Sequence, residues 1–173
     1  GEAGHAGLFT SAHDLARFAR MILQGGQLEG ARILRPETVE LMSSVQTTEA
    51  VSVRRGLGFD IDSPYSGPRG KNFPLGSFGH SGWTGTSLWI DPFSRTTVIF
   101  LSNRNHPSGG DVRKLRYQLG TLAAEATGFD FTAVSGALPE VTDRKTTDTP
   151  EKVQYPVGNV LSGIDVLIAS ASG

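Results

Sequence analysis

The sequence predicts an α+β fold in which an antiparallel β-sheet is flanked by helices. Two runs of β-branched and aromatic residues, 86–90 and 96–101, are separated by a short segment that contains proline, a pattern typical of a β-hairpin. Apolar residues recur at helical spacing after Ser11 and again after Asp111. We therefore expect strands joined by hairpins, with helices packed against them.

The first helix is predicted to begin at Ser11, which forms a pair of the capping-box type with Asp14. Glycines 25 and 26 provide the stop, because glycine readily adopts the left-handed conformation that ends a helix. A glycine-rich loop over residues 1–8 precedes the helix and lacks the Gly-Lys-Ser/Thr of a phosphate loop. The buried side is predicted from apolar residues at helical spacing: Ala12, Leu15, Ala16, Ala19, Ile22 and Leu23.

A second helix is predicted over residues 36–43, since the proline at its start fits the first helical position. Farther along, apolar and polar residues alternate over 57–62, which predicts a strand with one buried face. Asp60 and Asp62 fall on the polar face, and we expect solvated carboxylates there rather than a calcium site. A loop rich in proline and glycine, 63–75, leads to the hairpin.

The last long helix is predicted to run from near Asp111 to Gly128, where the glycine ends it. The composition changes at Phe129, and the polar stretch 142–150 predicts a linker over 129–156; residues 157–173 turn apolar again. We expect the helix to pack on the sheet through one apolar stripe, composed of Val112, Leu115, Leu119, Leu122, Ala123 and Ala126.

The composition narrows the classes of function. The 173 residues carry a formal net charge of −1, which does not favour binding to nucleic acid or to an anionic membrane surface. No apolar run is long enough to span a membrane. The chain has no cysteine, and its four histidines are scattered without metal-ligand spacing. We therefore expect no disulfide, no metal site and no cofactor.

The strand that opens the hairpin has an unusual start. Three glycines and His80 lie within residues 78–85, where an ordinary strand would have bulky apolar side chains. Glycine occurs in strands where a ligand or a second backbone comes close. The segment therefore predicts a strand edge whose backbone N–H groups are open to a substrate, whereas Trp89 and Phe100 are predicted to be core residues.

His80-Ser81-Gly82, followed by Trp83-Thr84-Gly85 and a hairpin, resembles the third motif of penicillin-recognising serine hydrolases, the superfamily of class C β-lactamases, DD-peptidases and family VIII esterases. Lactamases have Lys-Thr-Gly or Lys-Ser-Gly there, while some DD-peptidases and esterases have histidine. Without a fixed ammonium group, the resemblance favours acyl transfer on an ester or amide over β-lactam hydrolysis. It extends over residues 4–128 and implies a β-lactamase/transpeptidase-like fold, of which this chain is an incomplete domain.

The resemblance also implies a role for each residue of the motif. His80 would orient protons or bind a carboxylate, and the backbone N–H of Trp83 would be an oxyanion donor. The Ser81 hydroxyl would bind a carboxylate or carbonyl of the substrate. Gly82 would let the substrate backbone approach, and Gly85 is also predicted to be a substrate-binding residue. A nucleophilic Ser81 is not expected, because the Gly-x-Ser-x-Gly elbow fails at Trp83.

The family's nucleophile and base motifs are not found in this sequence. No serine has lysine three positions on, and no tyrosine begins a Tyr-x-Asn triplet. We expect both motifs upstream, in the other half of the same domain, so the fragment alone should be inactive. The complete protein would hydrolyse an ester or amide of a small molecule or cell-wall peptide through an acyl-enzyme. The alternative is a catalytically inactive β-lactamase-like binding or structural module.

Residues 160–167 resemble the opening of a bacterial family of exo-acting N-acetylmuramidases. The implied organisation is a serine hydrolase part over 1–128, a linker over 129–156 and the start of a muramidase-like domain over 157–173. Such a neighbour favours a peptidoglycan-derived substrate and a location in the bacterial periplasm or outside the cell. Under the alternative, the inactive module is fused to a peptidoglycan glycosidase.

Overall fold

The computed structural model describes residues 6–48 and 50–134 together with the backbone of 166–170, and within them three helices accompany two sheets. The helices are α1 (Ala12–Leu23), α2 (Pro36–Ser43) and α3 (Arg113–Ala126). A small sheet pairs β1 (Gln27–Leu28) with β2 (Ala31–Arg32). The main sheet has six strands in chain order: β3 (Arg54–Arg55), β4 (Asp60–Asp62), β5 (Phe78–Ser81), β6 (Ser87–Asp91), β7 (Thr96–Leu101) and β8 (Val166–Ser170). Short 3₁₀ turns lie at Gly67–Arg69 and Phe131–Val134.

Neighbouring strands from β3 to β7 are antiparallel, and β8 lies parallel to β7. The β6–β7 hairpin is the predicted one, with Asp91 opposite Thr96. Residues 78–85, however, do not open its first strand as predicted, because Phe78–Ser81 form the separate strand β5 and a turn follows. Asp91 closes its turn, because the carboxylate Oδ2 accepts hydrogen bonds from the backbone N–H and the hydroxyl of Ser94 at 2.7 and 2.6 Å. The antiparallel hairpins and the helices beside them confirm the predicted α+β class.

Helix α1 forms where its local signals predict it. The Ser11 hydroxyl oxygen accepts a hydrogen bond from the Asp14 backbone N–H at 3.2 Å, and the Gly26 N–H returns to the Met21 carbonyl at 2.9 Å. Its buried side joins α2, β4, β5 and β6 in one apolar cluster. Members of that cluster include Ala19, Met21, Ile22, Val39, Phe59, Ile61, Phe78 and Ile90.

The buried face of α3 differs from the predicted stripe. Leu115 and Leu122 are exposed, at 40% and 58%, so the prediction that these two leucines pack on the sheet was wrong, whereas Leu119 is half-buried and Ala123 is buried as predicted. The reason is a close approach: a Cβ at Gly120 would lie 2.1 Å from the carbonyl oxygen of Pro68, which only glycine permits. The residues that are buried on α3 are Arg116, Gly120, Ala123 and Ala124.

Strand β4 is shorter than predicted, and its predicted polar face is covered at Asp60, whereas Asp62 on the same face stays partly exposed and pairs with Arg69. Phe59 and Ile61 are buried as the alternation predicts, whereas Leu57 is 53% exposed. Asp60 is 0% exposed, so the expectation of a solvated carboxylate there was wrong. The physical reason is an ion pair with Arg55, whose side chain covers that face from β3 at 2.9 Å.

Several expectations fall wholly or partly outside the described residues. Of the predicted linker, 135–156 lie outside them, while Phe131 packs edge-on against Phe73 at 5.5 Å between ring centroids. Of the predicted second unit, only the backbone of Val166–Ser170 is described. The boundaries at 128 and 156 remain predictions. No helix in the described part of the chain combines the length and the apolar character that crossing a membrane requires.

Candidate functional site

Strand β5 carries two of the predicted site residues, His80 and Ser81, and leaves part of one edge open. It pairs with β6 along its whole length, but with β4 only at Gly79, opposite Asp60. Gly79 must be glycine, because a Cβ would lie 2.2 Å from the Leu88 carbonyl oxygen and 2.4 Å from the Trp89 ring. The tight packing at Gly79 fixes β5, and the next residue, His80, does not pair with β4.

The turn after β5 holds a free backbone donor. The Gly82 N–H donates to the Thr86 carbonyl at 2.7 Å, and the Gly85 N–H donates to the Gly82 carbonyl at 3.2 Å. Within the described residues the Trp83 N–H donates to no other group. The Trp83 side chain is 78% exposed. The turn after β5 therefore leaves the backbone N–H of Trp83 available to a ligand.

Two arginines hold this turn from outside the sheet. Buried Arg116 of α3 donates to the carbonyls of Gly82, Gly85 and Thr86 at 2.9, 3.2 and 2.8 Å, and burial lowers the pKa of its guanidinium. Arg104 donates through Nε to the Trp83 carbonyl at 2.6 Å, and its guanidinium carbon lies 4.4 Å from the centre of the Trp83 ring. Such stacking is a cation–π contact.

A cleft of about 580 Å³ runs beside the turn. His80, Ser81, Gly82 and Trp83 all line it, so four of the five predicted site residues come together. Gly85 does not line the cleft. Its φ is +120°, and a Cβ at this position would lie 2.5 Å from the Ser102 hydroxyl oxygen, so the glycine is explained without a ligand.

The remainder of the cleft is formed by β3, β4, the loop and 3₁₀ turn after β4, the loop after β7 and the first turn of α3. Besides the motif, the lining residues are Arg55, Asp60, Pro64, Tyr65, Gly67, Pro68, Arg104, Asp111, Val112, Arg113 and Arg116. Four arginines face two aspartates, which leaves a surplus of positive charge. Arg113 hydrogen-bonds Asp111 at 2.6 Å and lowers the pKa of that carboxyl to about 2. An anionic ligand is therefore favoured.

Asp60 and Arg55 are site residues that sequence reasoning missed. They form an ion pair at 2.9 Å, and an Arg55 Nη2 lies 2.9 Å from Nε2 of His80. The alternating pattern over 57–62 places Asp60 on a polar face and does not say that this face is covered. The signal that could have found the pair is the short segment between Arg55 and Asp60, which can bring the two residues opposite each other in a hairpin.

The arrangement can bind an oxygen atom that carries or develops negative charge. The Trp83 N–H and the Ser81 hydroxyl are donors, and the His80 ring can donate or accept. Within the described residues no three His, Cys, Asp or Glu side chains are grouped so that they could hold a metal ion. The site as described thus offers binding and charge stabilisation.

Comparison with known proteins identifies relatives of the chain. A family model described as Beta-lactamase matches residues 1–123. A protein of Escherichia coli K12 named "Putative D-alanyl-D-alanine carboxypeptidase" is 30% identical over 144 residues, which cover 81% of this chain and 32% of that protein. A protein of the same name from Salmonella gallinarum is 30% identical over 142 residues, with 80% and 32% covered. The chain thus spans about a third of the length of these relatives.

Among solved structures, one described as "Crystal structure of putative beta-lactamase from Bacteroides dorei DSM 17855" is 19% identical in sequence. The superposition covers 67% of this chain and 40% of that chain, with a TM-score of 0.43.

Proposed function

The chain belongs to the beta-lactamase family, and from this premise we propose that it forms one wall of the active site of a penicillin-recognising serine hydrolase. In this proposal the complete protein cleaves an ester or amide through an acyl-enzyme. The observation that carries the proposal is the Trp83 N–H beside the cleft, which has no hydrogen-bond partner among the described residues. Such a donor stabilises the oxyanion of a tetrahedral intermediate.

The substrate proposed is a peptide that ends in a free carboxylate, as in the D-alanyl-D-alanine of the relatives' name. The surplus of arginine in the cleft supports an anionic substrate. The Ser81 hydroxyl and the His80 ring lie on the same wall, where they would bind the carboxylate or the scissile carbonyl. We place the reaction on peptidoglycan-derived material in the bacterial periplasm or outside the cell.

The nucleophile would come from outside residues 1–173, since no Ser-x-x-Lys occurs in the sequence. Residues 1–173 alone should therefore be inactive. If the purified fragment hydrolysed p-nitrophenyl acetate faster than its His80→Ala variant, this division of the site would be wrong. We further propose that 157–173 begin a muramidase-like domain, which limited proteolysis of the full-length protein should release by cleavage within 129–156.

The oxyanion role is tested by two substitutions at one position in the full-length protein. Trp83→Pro removes the backbone N–H, whereas Trp83→Ala keeps it and removes only the side chain. The readout is D-alanine release from a diacetylated Lys-D-Ala-D-Ala peptide. Loss of one oxyanion donor lowers kcat by a factor of about 10²–10³. The kcat of Trp83→Pro should therefore fall by that factor, and the kcat of Trp83→Ala by far less. Equal losses would contradict the role.

The second candidate is an inactive β-lactamase-like binding module, because a fold can be kept when its catalytic activity is lost. Labelling of the full-length protein with a fluorescent penicillin and with a fluorophosphonate separates the two. Covalent labelling that disappears when the upstream serine is replaced supports the hydrolase. No labelling by either probe, together with retained binding of a D-Ala-D-Ala peptide in calorimetry, supports the binding module.

A further inference from the structure

Asp60 is a buried carboxylate next to the cleft, and its two oxygens have very different surroundings. Oδ1 accepts from Nε of Arg55 at 2.9 Å and from the Ser63 hydroxyl at 3.1 Å. Oδ2 is buried and has no hydrogen-bond partner in the described part of the chain, although Nε2 of His80 lies 3.9 Å away. Buried carboxylate oxygens rarely remain without a partner, so this arrangement calls for a physical explanation.

The contact between Arg55 and His80 sets the position of the ring proton. Nη2 of Arg55 lies 2.9 Å from Nε2 of His80. A guanidinium group has only donors, so Nε2 must be the acceptor. A neutral imidazole has one acceptor nitrogen and one N–H, which places the proton on Nδ1. Nδ1 itself has no partner among the described residues, and His80 lines the cleft.

We propose that Arg55 and Asp60 are positioning residues that hold His80 in its Nδ1–H tautomer, so that the ring donates a hydrogen bond to an oxygen of the ligand in the cleft. Asp60, which is buried, fixes the partly exposed Arg55 guanidinium through the ion pair, and Arg55 in turn fixes the imidazole. The inference rests on the proposed function only in taking this cleft to be the place where the ligand binds.

The partnerless oxygen of Asp60 is what makes the tautomer depend on Arg55. If Arg55 were absent, the strongest acceptor near Nε2 of His80 would be Oδ2. The ring would need to move by only about 1 Å to bring the 3.9 Å separation to hydrogen-bond length. An Nε2–H would then satisfy the buried oxygen. Removal of Arg55 should therefore move the ring proton from Nδ1 to Nε2.

The neighbouring pair, Arg69 and Asp62, provides a matched control. It joins the same strand β4 to a nearby 3₁₀ turn through an ion pair at 3.1 Å, and no histidine of the described residues hydrogen-bonds to either side chain. If the arginine–aspartate pairs served only to stabilise the fold, loss of either should leave the His80 tautomer unchanged.

The test is ¹⁵N NMR of the full-length protein with labelled histidine, recorded at a pH where the imidazole is neutral. Signals of His80 are identified by their loss in His80→Gln. In the wild type we expect a pyridine-type shift at Nε2 and a pyrrole-type shift at Nδ1. In Arg55→Met the two shifts should exchange, while Arg69→Met should match the wild type.

A wild-type ring with its proton on Nε2, or an unchanged ring in Arg55→Met, would overturn the proposal. Should Arg55→Met fail to fold, the double variant Arg55→Met/Asp60→Leu leaves no buried charge, and its ring should populate both tautomers. A persistent Nδ1–H tautomer there would also overturn it. The NMR readout needs no substrate, so the two proposals can fail separately. If the ¹⁵N shifts of His80 exchange in Arg55→Met but the protein is not labelled by penicillin, the positioning role is upheld and the hydrolase is contradicted. If penicillin labels the protein but the wild-type ring carries its proton on Nε2, the hydrolase is supported and the positioning role is contradicted.

Discussion

Replacement of Arg116 by methionine tests whether a buried guanidinium holds the turn that presents the Trp83 amide. Arg116 makes three hydrogen bonds to carbonyls of the turn, at 2.8 to 3.2 Å. Hydrogen bonds from a charged donor contribute about 1.5–3 kcal/mol each. Simple addition would therefore give about 5–9 kcal/mol for the loss of all three.

The structure argues for a smaller cost, because each carbonyl has a second donor. The carbonyl of Gly82 also accepts from the Gly85 N–H, and that of Thr86 accepts from the Gly82 N–H. The Gly85 carbonyl accepts from the Ser102 hydroxyl at 3.0 Å. No acceptor is left without a partner, so the lower value of about 1 kcal/mol per bond applies. We expect Arg116→Met to lower the free energy of unfolding by about 3 kcal/mol.

The assay is urea denaturation of the full-length protein, followed by hydrogen exchange in peptides that cover 78–103. Arg113→Met is the control, because Arg113 lies on the same helix but is exposed and pairs only with Asp111. Arg116→Met should unfold this region at lower urea, with faster exchange at Gly85, and the control should match the wild type. Equal behaviour of the two variants would refute the reasoning, since the guanidinium would then contribute nothing to the turn.

Three further predictions concern the sheet and its packing. Burial raises the pKa of Asp91 from 3.8 to about 6. Between these two pH values the folded state holds a proton that the unfolded chain releases, so the free energy of unfolding should fall by up to about 3 kcal/mol as pH rises. Asp91→Asn should abolish this pH dependence of the free energy of unfolding, measured by urea denaturation from pH 4 to pH 7. Gly120→Ala should lower the melting temperature although alanine favours helices, because its Cβ would strike the Pro68 carbonyl. Ser77→Ala leaves the buried Trp89 indole N–H without its acceptor and should cost about 1–3 kcal/mol in urea unfolding.

The elements with local signals could be predicted from the sequence alone. Helix α1 starts at a capping serine and stops at two glycines, and the structure places both ends there. The β6–β7 hairpin follows from its β-branched strands and from Asp91 in the turn, whose carboxylate accepts a hydrogen bond from the backbone N–H of Ser94. Trp89 and Phe100 are buried in it as predicted. In these segments the deciding contacts lie within a few residues of each other.

The elements that were mispredicted are governed by distant partners. The face of α3 depends on Arg116, which bonds carbonyls more than 30 residues away, and on Gly120, which meets the Pro68 carbonyl. The burial of Asp60 depends on Arg55 crossing over it from the adjacent strand. Hydrophobic periodicity counts apolar side chains, so it cannot report that a helix face is selected by a buried guanidinium or by a missing Cβ.

The turn over 82–86 is likewise held by side chains that are distant in the sequence, those of Arg104 and Arg116. An amide that is to serve a ligand, as we propose for Trp83, cannot also take part in the sheet ladder, so the ladder cannot fix the residue that carries it. The protein fixes the carbonyl groups instead: Arg104 holds that of Trp83 itself, and Arg116 holds those on either side. The N–H of Trp83 is then oriented through its rigid neighbouring peptide groups while its own hydrogen-bonding capacity stays unused. A donor prepared in this way needs little reorganisation when negative charge develops beside it, which is the property an oxyanion site requires.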